Sequence, residues 1–376
     1  MNTVLKNSRF SYKIFPYAVI CKDCIRIGGI RCSGQREREY NVQKASDQAA
    51  KAAETLKNNA ARGTAVVRSG AATAANRIRS TYRDLHPKKK RGDRYDGKRV
   101  DVDAIHYAMV HLYNNRTDAE VFINETFDVS KVLEYVDRKN EEDPSFKTKP
   151  WHVFVQAVAK TVYERPMLNR FICGRRVYDR NKVIMGFMVK QEFEDGAEEL
   201  MLMANARPEM VLDDMSHLIL GDTRKLRKGD GESSATEKIL NVYKHLPRNG
   251  QRAVIETVKW LDYHGILPPD IIESQIHHAT VLMSNLGSIK CDAPYHHLNN
   301  FGTNSIVCTV GEIHKAPMYD ENGEAHVTDV VDFGLTLDER IADGFYFAKS
   351  VKVLKYILEH PEVLDRPLSE PLGIEF

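Results

Sequence analysis

From about residue 95 onward, two hydrophobic periods alternate along the chain. The stretch 149–165, KPWHVFVQAVAKTVYER, repeats apolar residues at helical spacing and then meets Pro166. It predicts an amphipathic helix that stops there, because proline lacks the backbone donor a continuing helix needs. Helices are predicted likewise over 102–113 and 345–359, with a shorter one capped by Ser130 and running to 139. Apolar–polar alternation predicts strands over 119–129, 198–206, 279–284, 305–312 and 325–337. Residues 171–178 and 182–193 read as a strand pair joined by the polar turn Asp179-Arg180-Asn181. Residues 208–263 are mostly helical in pattern, but 222–236 is polar and reads as a loop or frayed helix. Helices and strands alternate irregularly, which predicts a mixed-sheet α/β (α+β) sandwich rather than a doubly wound sheet.

Ahead of this body the pattern changes. Residues 1–41 hold no sustained period, and 42–85 are rich in Ala with interspersed Lys, Arg and Gln. Ala favours helix, but Gly63 and Gly70 weaken it and large apolar side chains are few, so the segment has little to bury. The organisation expected is a basic, partly helical or disordered arm over 1–94 and a globular domain over 95–376. The formal net charge of +2 conceals this division. Residues 1–94 carry 21 Lys and Arg against 7 Asp and Glu, so the remainder is acidic. Such an arm could meet nucleic acid, an acidic partner or its own body. Lys88-Lys89-Lys90-Arg91 suits nucleic acid, although a solvated linker is the better account of it and nucleic-acid contact is not expected.

Composition sets further bounds. No apolar run approaches the roughly 18 residues that a membrane span needs. The patch 14–21 contains Pro16 and lacks a small-residue cleavage site, so it does not read as a secretion signal. Six cysteines (21, 24, 32, 173, 291 and 308) show no paired framework, which suits free thiols in a reducing, cytoplasmic compartment. Cys21, Cys24 and Cys32 would supply three zinc ligands without a fourth and read as incidental. Phosphate-binding glycine loops, nucleophile elbows and zinc-protease helices are missing from the sequence.

Four stretches carry chemistry: NRTDAEVFINETFDVS (115–130), WHVFVQAVAKTVYERPMLNR (151–170), VLMSNLG (281–287) and DERIADG (338–344). In order and spacing they resemble the catalytic domain of dihydrolipoamide acyltransferases, the core subunits of 2-oxo-acid dehydrogenase complexes. The resemblance spans roughly residues 96–366 and extends to chloramphenicol acetyltransferase. The family's patterns are F-T-[IV]-S-N-L-G and D-H-R-x-x-D-G, and Glu339 stands where the second has its catalytic histidine. The resemblance implies a chloramphenicol acetyltransferase-like fold, a homotrimer with sites shared between neighbours, and coenzyme A or acyl-coenzyme A as substrate without a metal. It implies an oxyanion donor in Ser284, an ion-pairing aspartate in Asp343 that holds the active-site loop, and backbone room at Gly344. Arg340 would be structural, and Asn285, Gly287, His296 and His297 would lie beside the substrates. The chain shows no lipoyl attachment site, which suggests a stand-alone catalytic-type domain, with 2-oxo-acid dehydrogenase components as further partners.

Glu339 is the departure that matters. A thiol titrates near 8.5 and a glutamate near 4.3, so taking the thiol proton is uphill by roughly 5–6 kcal/mol. Burial narrows that gap. Three alternatives stand at this point: a desolvated base, a salt bridge that holds the loop, or a replacement base from His277, His278, His296 or His297. Cys291, His296 and His297 fit no usual zinc spacing. Two functions follow: a thioester-dependent acyltransferase-like protein with altered or lost chemistry, and a non-catalytic trimeric scaffold of the same fold.

Overall fold

The computed structural model describes residues 93–190, 199–228, 240, 242–319 and 322–375. The chain opens with β1 (Gly97–Arg99), α1 (Ala104–Leu112), β2 (Glu120–Asp128), α2 (Ser130–Glu142) and α3 (Pro150–Glu164). It continues through β3 (Arg170–Cys173), β4 (Arg176–Arg180), β5 (Val183–Lys190), β6 (Glu199–Ala206), α4 (Leu212–Lys228), α5 (Arg248–Tyr263) and α6 (Pro269–Ser274). It ends with β7 (Val281–Asn285), β8 (Ile306–Val310), β9 (His314–Tyr319), β10 (Ala325–Asp338) and α7 (Gly344–Glu359).

A seven-stranded sheet runs β2-β10-β8-β7-β5-β6, with β9 paired to the first half of β10. β7 is parallel to β5 and β8, and the other pairs are antiparallel. The expected mixed-sheet α/β sandwich is the one observed. Helix α3 lies at its centre: every residue from His152 to Val162 is buried. Each buried Val or Phe there contributes roughly 1.5–3 kcal/mol, which is ample to carry the polar passengers Gln156 and Lys160 inside. Lys160 Nζ is satisfied by the carbonyls of Pro367, Leu368 and Glu370 and an ion pair to Glu164 at 3.5 Å. It thereby ties the C-terminal segment to the core.

Side chains in register across the strands share a face. Val281, Met283, Ile306, Cys308, Leu335 and Leu337 point towards the helices. The opposite face carries the rows Asn124–Gly334–Thr309–Ser284 and Phe122–Thr336–Val307–Leu282. A strap, residues 291–300, crosses this second face. Thr309 Oγ1 donates to Pro294 O at 2.6 Å, the Tyr295 and Phe122 rings lie 5.2 Å apart, and Leu298 N donates to Glu120. Gly334 admits the strap: a Cβ there would stand 2.6 Å from Thr309 Oγ1 and 2.8 Å from Ala293 O.

Several local expectations change. The polar turn at Asp179-Arg180-Asn181 is not a hairpin. β3 pairs with β4 across Gly174-Arg175 in a separate three-stranded sheet, β1-β4-β3, while β5 enters the large sheet. Both turn residues have positive φ (56° and 58°), the geometry of a tight two-residue hairpin. Ser130 is the first helical residue rather than the cap, and Asp128 accepts from its backbone N and its hydroxyl. Of the two readings of 222–236, loop or frayed helix, helix α4 takes the helical one through 222–228. Strands β1 and β9 were not foreseen. The arm expected over 1–94 lies outside the described residues, as do its three cysteines, except for Asp93 and Arg94. Arg94 is built into the body, bonded to Asp96 at 2.8 Å and Asp262 at 3.1 Å.

Candidate active site

The heptapeptide begins where β10 ends. Asp338 is wholly buried, and Arg340 grips both its oxygens, Nε at 2.8 Å and Nη2 at 2.7 Å. Arg340 also donates to Tyr113 O at 3.1 Å. From the other side Arg116, equally buried, brings Nε to 3.6 Å from Asp338. Its remaining nitrogens donate to Asn299 O at 2.8 Å and to Ile172 O and Gly302 O at 3.0 Å. Burial pulls the Arg116 guanidinium below its ordinary range, the Asp338 carboxylate opposes this, and the neighbouring Arg340 charge adds to it.

Glu339 sits between the two partners of that ion pair. Its backbone N donates to Ala119 O at 2.9 Å, which prolongs the β2–β10 pairing by one residue. Its side chain is half-buried and, among the described residues, makes no hydrogen bond or ion pair. The loop-holding salt bridge considered for Glu339 is thus made by Asp338 instead. Asp343 makes no ion pair among the described residues. It is exposed, caps α7 and accepts from Tyr346 N at 2.7 Å, which compensates an otherwise orphaned helix donor. At Gly344 a Cβ would meet nothing within 4 Å among the described residues.

Ser284 lies near the C-terminal end of β7, half-buried, with no hydrogen-bond partner for its hydroxyl among the described residues. Asn285 builds the turn that follows: its side chain accepts from Ser288 N at 3.2 Å and its carbonyl from Ser288 Oγ at 2.8 Å. Gly287 packs against Gly311, whose carbonyl a Cβ would meet at 2.4 Å. His296 and His297 are exposed on the strap and stacked, with ring centroids 4.7 Å apart. Cys291 is exposed and free, and no group of three potential metal ligands occurs among the described residues.

His277 and His278, ahead of β7, are both held below the ordinary histidine range. His278 is fully buried beside Thr303 Oγ1 at 3.2 Å, and burial pushes it down to about 4. His277 is held neutral by burial and by the nearby Arg116, and it meets the Asn299 side chain at 3.2 Å. His278 is a core histidine, whereas His277 is half-buried.

The register separates the two candidate groups. Ser284 aligns through Thr309 with Gly334, and Glu339 lies further along the same strand direction. That is roughly 17 Å along the strand and two strand spacings across, so their Cα atoms are roughly 20 Å apart. A single chain does not bring them together. Arg116 and Asp338, the centre of the loop's ion-pair network, were missed as site residues. Both occur inside quoted motifs, but neither motif reveals which acidic residue is buried.

Residues 270–365 match the family model for 2-oxoacid dehydrogenases acyltransferase (catalytic domain). The match contains both VLMSNLG and DERIADG, and it bears out the resemblance drawn from them. Among solved structures, a probable dihydrolipoamide acetyltransferase from Listeria monocytogenes is 15% identical, covers 72% of this chain and 96% of its own, and has a TM-score of 0.47. The dihydrolipoamide acetyltransferase of Azotobacter vinelandii is 15% identical over 71% of this chain and 94% of its own, with a TM-score of 0.47. A chloramphenicol acetyltransferase is 11% identical over 70% and 99%, with a TM-score of 0.40. No curated protein matches the sequence.

Proposed function

We propose that this protein acts on a coenzyme A-type thioester as an acyltransferase, in a homotrimer whose site pairs Ser284 of one copy with Glu339 of the next. One observation carries the reading. Ser284 and Glu339 each lack a side-chain partner among the described residues, yet lie at opposite ends of one sheet. A hydroxyl and a carboxylate left unused this way suit two half-sites. In that arrangement Ser284 would donate to the oxyanion of the tetrahedral intermediate. Glu339 would take the thiol proton, provided that the neighbouring copy excludes water and raises its affinity for a proton. No metal enters this chemistry. Free thiols at Cys173, Cys291 and Cys308 suit a reducing compartment such as the cytoplasm.

The second reading is a non-catalytic trimeric scaffold. It is favoured by the carboxylate itself, a weak base for a thiol, and by the neutral, structural state of His277 and His278. The deciding experiment measures turnover of a panel of acyl-coenzyme A donors with thiol acceptors by the full-length protein. Turnover that disappears in Glu339→Gln supports the enzyme. No turnover in wild type or in Glu339→His, with folding verified, leaves the scaffold.

A further inference from the structure

Behind the Glu339 loop lies a cleft of about 330 Å³, in the size range of small-molecule sites. Its walls are the end of α1, the β3–β4 turn, the last turn of α5 and the loop at 300–302. Arg116, Arg175, Lys259 and Arg340 line it, against one acidic residue, Asp262.

Among the described residues, the charges around it do not balance. Asp262 is matched by Arg94 at 3.1 Å, and Arg94 also holds Asp96 at 2.8 Å, with Arg180 at 3.9 Å from the same carboxylate. Asp338 is shared by Arg340 and Arg116. Among the described residues, four buried guanidiniums (Arg94, Arg116, Arg180, Arg340) thus face three carboxylates (Asp96, Asp262, Asp338). The two other titratable groups in the cluster do not close the gap. His278, pushed down to about 4, and Cys173, pushed up to about 12, are both neutral near pH 7. A buried charge without a counter-ion is costly, and this one borders a cleft open to solutes. Arg175 and Lys259 add two more cations at its walls, Lys259 with Glu256 at 3.6 Å as its one ion-pair partner among the described residues.

Arg175 gives an independent sign. Its φ is 58°, in the second position of a two-residue hairpin turn where glycine is the usual occupant. The preceding Gly174 must be glycine, since a Cβ would lie 2.4 Å from Tyr263 O at the end of α5. Placing an arginine in the left-handed region costs backbone energy that glycine would not. What the arginine provides is a guanidinium on the cleft wall, oriented by a 2.9 Å bond from Nη2 to Asn114 Oδ1.

We propose that this cleft binds a phosphate-bearing small molecule, with Arg175 and Lys259 contacting the anion and the Arg116–Arg340 pair supplying the unmatched buried charge. The site stands independently of the acyl-transfer reading. A phosphate carries the charge and the several acceptor oxygens that converging guanidinium and ammonium groups satisfy. The phosphates could be those of the acyl donor or of a separate phosphorylated ligand.

Calorimetric titration of the full-length protein at low salt tests this, with pyrophosphate, coenzyme A and phosphate-free pantetheine as probes. Pyrophosphate is expected to bind, and Arg175→Gly to weaken it about tenfold, as loss of one charge-assisted contact would. Adding Lys259→Gln is expected to deepen the loss to about 100-fold. Glycine suits the positive φ at 175, so this variant keeps the fold, and an unchanged or higher Tm verifies it. A parallel loss for coenzyme A but not pantetheine assigns the phosphates to the acyl donor. A loss for pyrophosphate alone assigns them to another ligand. Either result supports the site, and so does unchanged pyrophosphate affinity in Ser284→Ala, whatever the turnover. Failure of pyrophosphate to bind at millimolar concentration, or unaltered affinity in the folded double variant, overturns it.

Discussion

Arg340 closes on both oxygens of Asp338, at 2.8 and 2.7 Å, and the two residues enclose Glu339 between them. The pair is buried and has Arg116 as a third member. The peptide that presents Glu339 is therefore fixed at both its neighbours, while the Glu339 side chain is left unengaged among the described residues. Breaking a buried pair from one side strands the remaining charge. Asp338→Asn is expected to lower stability by about 3–5 kcal/mol, read by urea denaturation. A loss below about 1 kcal/mol, the size of an exposed pair, would show that the loop is held by something else.

Glu339 and Ser284 make different contributions to the proposed chemistry. Glu339→Gln is expected to abolish acyl transfer, and Ser284→Ala to lower kcat on the order of 100-fold through the lost oxyanion donor. Glu339→His restores the residue type that the resembling family carries there and should give thiol-to-thiol transfer. Turnover surviving intact in Ser284→Ala would remove Ser284 from the mechanism.

The full-length protein is expected to sediment as a trimer at micromolar concentration. In the proposed shared site, the separation of the two candidate groups would leave each copy with two halves of different sites, and Phe122 and Tyr295 are about half exposed on the strap-bearing face. A monomer under those conditions counts against the shared site.

Acid should destabilise the fold in a definite window. His278 and His152 are both buried and both pushed down to about 4 from an ordinary 6.5. Between those values the unfolded chain takes up protons that the folded chain refuses. Stability is therefore full above pH 6.5 and falls as pH drops towards 4, by at most about 1.4 kcal/mol per pH unit for each histidine. His278→Gln should make the slope shallower, measured as urea midpoints between pH 7.5 and 4.5. An identical slope would assign the loss to other groups.

Removal of residues 1–92 is expected to leave Tm nearly unchanged, because the segment has few large apolar side chains with which to offset its ordering entropy. The cut must spare Arg94, which bonds Asp96, Asp262 and Cys173 inside the body. A fall of many degrees would show that the arm docks.

Legibility followed the range of the forces involved. Helix α3 was plain because both its period and its stop at Pro166 are local. The β3–β4 hairpin was misplaced because Asp179-Arg180-Asn181 has turn composition, while Arg180 is in fact buried by distant partners: the carbonyls of His278 and Thr303, and the Phe171 ring. Strand β9 escaped notice because Pro317 argues against a strand, although proline is tolerated at a sheet edge. The site divided in the same way. Ser284 and Glu339 stand out by motif, but nothing local marks Asp338, rather than Asp343, as the buried acid of the loop. Only burial distinguishes the two, and burial is decided by Arg116, more than two hundred residues away in sequence.

The distance between Ser284 and Glu339 also has a genetic meaning. When two halves of a site belong to different copies, inactivity becomes a property of an interface rather than of a polypeptide. Ser284→Ala and Glu339→Gln chains, each silent alone, would complement when co-assembled, because a copy defective at one end still offers the other end intact. Random mixing of equal amounts leaves roughly one interface in four with both groups present. Two recessive lesions in one gene would then rescue each other, and a single chain would never be the unit on which selection for this activity acts.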